Sequence, residues 1–230
     1  MWPRTLLPLL LAACVAPLGP GRFDSAGAPV ADRPPRAEVP RVEVEFPPHL
    51  ARPTREEEER IVSAIGRLWS SEFTVYTKAC RELVEIGEPA TPYLGYFGDV
   101  QKELQPGQRV NVTRIALEPI LGTLPGDRLA AALDSKYRAV RIAAAHVAGR
   151  RGMTDLTPAL LRMLEDSDVA DREAAVYALR SLHNRYFGYR ASDPRETRDA
   201  AAALWRAWWD ARARSEEPPA EGAAPAPAEG

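Results

Sequence analysis

Leu133-Asp134-Ser135, followed by Val140-Arg141-Ile142-Ala143-Ala144, returns 31 residues later as Leu164-Glu165-Asp166 followed by Asp171-Arg172-Glu173-Ala174-Ala175. In each copy a leucine closes one apolar run, an acidic turn follows, and an alanine-rich run carrying an arginine begins. One helical pair cannot bury its own apolar face, so a recurrence on this scale predicts pairs stacked into a continuous core. Working backwards, Thr113-Arg114-Ile115-Ala116 with Gly122 parallels Val140-Arg141-Ile142-Ala143 with Gly149, and Leu68, Ala79 and Leu83 parallel Leu133, Ala144 and Ala148. The offsets are unequal, which describes a degenerate array.

The surrounding sequence, from Thr54 to about Arg214, reads as helix throughout, with start and stop signals at short intervals. Thr54 and Glu57 form a capping box ahead of the stripe Ile61, Ile65 and Leu68. Phe73, Tyr76, Ala79, Cys80, Leu83 and Ile86 form the next stripe, Gly87 stops it, and Pro89 and Pro92 open a further helix. Helices are predicted over 109–121, 128–133, 137–148, 158–164 and 169–182. Asp193-Pro194-Arg195-Glu196 caps a last one carrying Trp205, Trp208 and Trp209. Pro119 falls inside a predicted helix and implies a kink. Tyr76 stands where the later repeats place Arg141 and Arg172.

Helical pairs with an acidic turn between them and Val-Arg or its equivalent opening the second helix resemble the HEAT repeat, including the variant termed phycobilisome-lyase-like. The resemblance covers about 54–182, and the Trp-rich end is similar to the terminal cap of small bacterial HEAT-repeat domains. It implies an all-α fold, a right-handed α-α superhelix of the HEAT/ARM type, with four to five helical pairs and a capping helix over residues 54–213. It also implies that Arg141 and Arg172, with Asp134 and Asp166, form a ladder between adjacent repeats. A bulky helix at the end of such an array covers the outer face of the last pair, so the three tryptophans are expected in the core.

Arg4 and the apolar stretch Leu6 to Ala13 have the form of an export signal. Leu11-Ala12-Ala13-Cys14 resembles the lipobox of bacterial lipoproteins, which implies cleavage after residue 13 and acylation of the Cys14 thiol. Two or three acyl chains, at about 0.8 kcal/mol per buried methylene, hold a protein firmly on a bilayer. Val15, where inner-membrane retention uses aspartate, favours the outer membrane. Residues 14–53, rich in Pro, Ala, Gly and charged groups, read as a disordered tether, and 214–230 as a disordered Pro/Ala/Glu tail. With Cys14 acylated, Cys80 has no disulfide partner and is expected to act as a small hydrophobe.

The 30 basic and 32 acidic residues nearly cancel, which argues against a nucleic-acid-coating protein. His49, His146 and His183 are not at metal-binding spacing, and no phosphate-cradling or nucleophile-elbow motif is present. The acidic residues Glu56 to Glu59, Asp134 and Glu165 to Asp168 fall at helix starts and turns, where capping and the helix dipole favour them. No catalytic, cofactor or metal residue is therefore expected. The expectation is a lipid-anchored, non-catalytic scaffold for protein partners of the cell envelope. Its alternatives are a HEAT-like enzyme or lyase acting on a small molecule or chromophore, and a structural spacer. Arg138, Arg150, Arg151, Tyr177, Arg180, His183 and Arg185 are the expected partner-binding face.

Overall fold

The computed structural model describes Val44 and residues 50–70, 72–100 and 111–216. The expected export signal with Cys14, nearly all of the expected tether, and the expected tail beyond residue 216 lie outside the described residues. No described helix is long and apolar enough to cross a membrane. Every regular element among the described residues is helical, and together they form an α-helical solenoid.

The first pair is α1 (Arg55–Arg67) and α2 (Phe73–Ile86). Thr54 caps α1: its hydroxyl accepts from the Glu57 N–H at 3.2 Å while its own N–H donates to Glu57 at 2.7 Å. These donors satisfy orphan groups at the helix start and hold the Glu57 carboxyl below its usual range. Ile61, Ala64 and Leu68 bury alongside Ala79 and Leu83 of α2. Gly87, at φ +77°, ends α2 in a conformation that disfavours any residue with a Cβ. The expected stripe on α2 fails at its first member. Phe73 is 76% exposed, because it opens the helix and no other described element reaches over it.

The second pair departs from regular helix. After a 3₁₀ turn (Glu88–Ala90) comes α3 (Thr91–Val100), then a π-helical turn (Thr113–Leu117) runs directly into the short α4 (Glu118–Leu121). Pro119 has no N–H to offer the preceding turn, and the wide π turn just upstream accommodates the missing bond. The kink implied by Pro119 therefore takes the form of a change in helical pitch.

The third pair, α5 (Gly126–Leu133) and α6 (Arg138–Arg150), and the fourth, α7 (Thr157–Met163) and α8 (Val169–His183), preserve the 31-residue register. Within each pair the helices pack on one another, and α6 lies along α8 in the most extensive contact between described elements. Gly149 permits that approach: a Cβ there would lie 3.0 Å from Ala178 Cα. The alanine-rich second helices therefore place Ala143, Ala144, Ala148, Ala174, Ala175 and Ala178 in the shared core.

The last helix, α9 (Arg195–Glu216), covers the fourth pair. Trp205 is 0% exposed, while Trp208 and Trp209 are half-buried against the same core. Phe187 meets Trp205 edge-on at 4.8 Å, and the buried Tyr189 donates its hydroxyl to the Leu164 carbonyl. The described residues thus contain four helical pairs and the tryptophan cap.

Candidate functional site

The repeat turns are joined by a ladder of arginines. Arg141 donates through Nη1 to the carbonyls of Ser135 and Lys136 at 2.9 and 3.2 Å, and Arg172, one repeat on, donates to those of Asp166 and Ser167 at 2.8 Å each. The other side of each guanidinium reaches forward. Arg141 makes a two-pronged bond to Asp171 at 3.1 and 2.6 Å, and Arg172 donates from Nε and Nη2 to the Ala191 carbonyl at 3.0 and 2.8 Å. The same rung is therefore used twice, first towards the next repeat and then towards the cap. Asp171 is 0% exposed; burial pushes its carboxyl pKa up, and the Arg141 guanidinium opposes that shift.

The ladder departs in part from its expected form. Asp134 lies outside it, 3.7 Å from Arg162, and Asp166 stands 3.9 Å from Arg141 while Asp171 makes the close pair. The first pair has no such arginine. Tyr76 is half-buried there, and Glu82 clamps Arg60 and Arg67 at 3.2 and 2.5 Å instead. Those arginines hold the Glu82 carboxyl below its usual range. Cys80 is a half-buried free thiol whose pKa burial pushes up, as suits a packing residue. A cleft of about 410 Å³ opens beside the ladder, lined by Leu133, Asp134, Arg141, Arg162 and Asp166 among others, with its charged groups already paired.

A different surface is made by the second helices of successive pairs. Glu118 follows the π turn directly and accepts from His146 Nδ1 at 2.9 Å and from Arg150. His146 in turn meets Tyr177 of α8 edge-on at 5.7 Å. Arg180, one turn beyond Tyr177, stacks 4.4 Å from the Tyr186 ring and donates to the Tyr189 carbonyl at 2.7 Å. Tyr177 and Tyr186 remain 57% and 59% exposed. The outcome is a strip of aromatic and cationic groups crossing α4, α6, α8 and the loop that follows.

Of the seven residues expected on one face, Arg150, Tyr177 and Arg180 lie in or beside this strip. Arg185 is exposed just past Asn184, which ends α8 at φ +49°. Arg151 is exposed and donates to the Leu124 carbonyl at 2.5 Å. Arg138 sits at the opposite end of α6, where its guanidinium pairs with Asp168 at 3.2 Å and its N–H donates to Asp99 at 3.0 Å. His183 is placed inside the cap, 4.9 Å from the Trp208 ring and 2.8 Å from Thr157 Oγ1. Sequence reasoning missed Glu118, Asp99 and Asp171. Their available signals were an acid next to a helix-breaking proline, and an acid in register with Val140 one repeat earlier.

The position of His183 gives a pH-dependent expectation. Burial, aided by the charge of Arg212, holds its pKa below 6.5, so the unfolded chain takes up a proton before the folded one does. Stability from this residue is full above pH 6.5 and is lost as pH falls from there to the folded-state value. Thermal melts at stepped pH are expected to show this decline in the wild type and a flatter profile over the same interval in His183→Gln. Equal slopes in the two proteins would contradict a neutral, buried imidazole.

Stacked pairs, an arginine ladder between turns and a terminal cap define an α-helical repeat protein. The family of HEAT repeats matches residues 126–217, the span from α5 to the end of the cap helix, so the third and fourth pairs are similar to HEAT repeats. Comparison with curated proteins gave no match.

Proposed function

We propose that this protein is a non-catalytic scaffold of the bacterial cell envelope, held to the bilayer through acylated Cys14, that binds a protein partner along the second-helix strip of its HEAT repeats. HEAT repeats are generally interaction scaffolds, and the observation that carries the reading here is the strip itself. Tyr177 and Tyr186 are exposed on either side of Arg180, the first on a helix otherwise devoted to core and the second in the loop that follows it. Exposed tyrosine beside arginine is the composition of binding hot spots, since it offers large contact area at low entropic cost. The charges elsewhere that resemble reagents are committed to the ladder and caps. The Arg4, Leu6 to Cys14 pattern supports export and lipidation.

A benzophenone side chain placed at Tyr177 and, as control, at Thr197 on the cap helix tests the reading in native envelope. The expected result is a discrete protein adduct from position 177 that is absent from 197; the same adducts from both, or none from 177, would overturn it. Mass spectrometry of the mature N-terminus tests the anchor separately. A diacylated Cys14 as first residue is expected, and an intact Met1 or a free Cys14 thiol would remove that part.

A further inference from the structure

We infer that the protein partner bound at the strip presents an acidic segment in extended form, received by the end of α8 and the loop over residues 184–190. This rests on the strip being a binding surface and adds the chemistry of what it binds.

The charge there is one-sided. Between Glu173 and Asp193 the sequence holds no acidic residue, and it holds Arg180, Arg185 and Arg190. None of these three has an ion-pair partner among the described residues. Elsewhere in the same part of the array Arg138, Arg141, Arg150, Arg162 and Arg206 each face a carboxylate. The Arg180 guanidinium lies 4.4 Å from the Tyr186 ring and donates to the Tyr189 carbonyl at 2.7 Å, two neutral partners that orient its charge without cancelling it. Arg185 and Arg190 are exposed, and they are the chain neighbours of those two partners, Arg185 of Tyr186 and Arg190 of Tyr189. The contacts of Arg180 therefore gather the backbone of all three arginines at one place. The C-terminal end of α8 offsets only about half a unit of this positive charge.

The loop also has the shape to receive an extended chain. Exposure alternates along it: Phe187 and Tyr189 turn inward, the first onto Trp205 and the second onto the Leu164 carbonyl, while Tyr186, Gly188 and Arg190 are exposed. The main-chain N–H groups of residues 185–188 donate to no backbone carbonyl among the described residues. A Cβ on Gly188 would meet no described atom within 4 Å, so another main chain has room to approach there. Unused main-chain donors pair with an added strand, and guanidinium forks beside them take its carboxylates in two-pronged bonds. Tyr177, one turn before Arg180, adds a second exposed ring. Three arginines in a chain whose 30 basic and 32 acidic residues nearly cancel do not make the long basic track that a nucleic-acid strand requires, which favours carboxylates over phosphates.

The purified full chain tests this with fluorescein-labelled octaglutamate as the probe and labelled octaglutamine as its neutral control. A saturable rise in anisotropy is expected with octaglutamate and none with octaglutamine. Arg185→Glu and Arg190→Glu are each expected to raise the Kd about fivefold, the upper end of the range for an exposed ion pair. Arg55→Glu makes the same change of charge at an exposed position on α1, and is expected to leave the Kd within about twofold because salt screens distant charges. The inference is overturned if octaglutamate does not bind, if Arg55→Glu weakens binding as much as the loop variants do, or if unlabelled octathymidylate displaces the probe at lower concentration than unlabelled octaglutamate. Octaglutamate binding combined with no envelope adduct from Tyr177 overturns the scaffold reading alone. A specific envelope adduct combined with no octaglutamate binding leaves that reading intact and removes the acidic partner.

Discussion

Trp205→Ala is expected to destabilise the chain by about 3–5 kcal/mol, the usual cost of deleting a fully buried large aromatic ring. Trp205 is 0% exposed and packs edge-on against Phe187 and Trp208. Its indole N–H has no hydrogen-bond partner among the described residues, so the loss is one of packing and cavity formation. In a stacked array that cost falls on one place. Among the described residues the fourth pair has α6 on one side and the cap on the other, and without the indole its outer apolar face meets water. Against a typical total stability of about 5–15 kcal/mol, the variant would be marginal at best. Urea unfolding followed by circular dichroism measures the effect. A loss below about 1 kcal/mol would mean that α9 is an appendage and not the closing layer of the core.

The second large effect concerns the ladder. Arg141→Met leaves the wholly buried Asp171 without its countercharge, a change expected to cost about 3–5 kcal/mol, whereas Arg141→Met with Asp171→Leu should recover much of that loss. The pH dependence has a definite sign. Burial already pushes the Asp171 carboxyl up, with Arg141 opposing, so removing the guanidinium raises it further. A folded-state carboxyl raised above its unfolded value favours the native protein at low pH and loses that contribution as pH rises. The single variant should therefore lie closest to wild type near about pH 4 and fall furthest below it near neutrality. A double variant no more stable than the single one would show that Asp171 does not act through Arg141.

The ladder also shows where reading the sequence succeeds and where it stops. The 31-residue offset marks Arg141 and Arg172 as equivalent positions, and both make the same bond to a turn carbonyl six residues earlier. Their forward partners were not legible. Arg141 reaches Asp171 and Arg172 reaches a main-chain carbonyl at Ala191, and the choice depends on whether another repeat or the cap follows. Val140 occupies the place of Asp171 one repeat earlier, so periodicity alone marked that position as apolar. Phe73 fails for a related reason. Helical spacing puts it in line with Ala79 and Leu83, but spacing cannot say how far the neighbouring helix extends.

For the candidate site, the sequence reading named Arg150, Tyr177 and Arg180; Arg150 and Tyr177 are linked through Glu118 and His146, and Arg180 lies one turn beyond Tyr177. That reading misplaced His183, because the cap helix returns over the end of α8 and encloses the ring among Trp205, Trp208 and Trp209. Glu118 carried no sequence signal beyond its place next to Pro119. Its role depends on the π turn that rotates it towards His146 and Arg150.

Stacking of the helical pairs in a single row underlies the ladder, the strip and the cap alike, and amide hydrogen exchange on wild type and Trp205→Ala tests it most directly. In a row, a lesion at the cap weakens its neighbours in order of distance. Protection is expected to fall most in α8, less in α6 and least in α1 and α2. A loss spread evenly over all helices, or one confined to α9, would contradict the stacked arrangement.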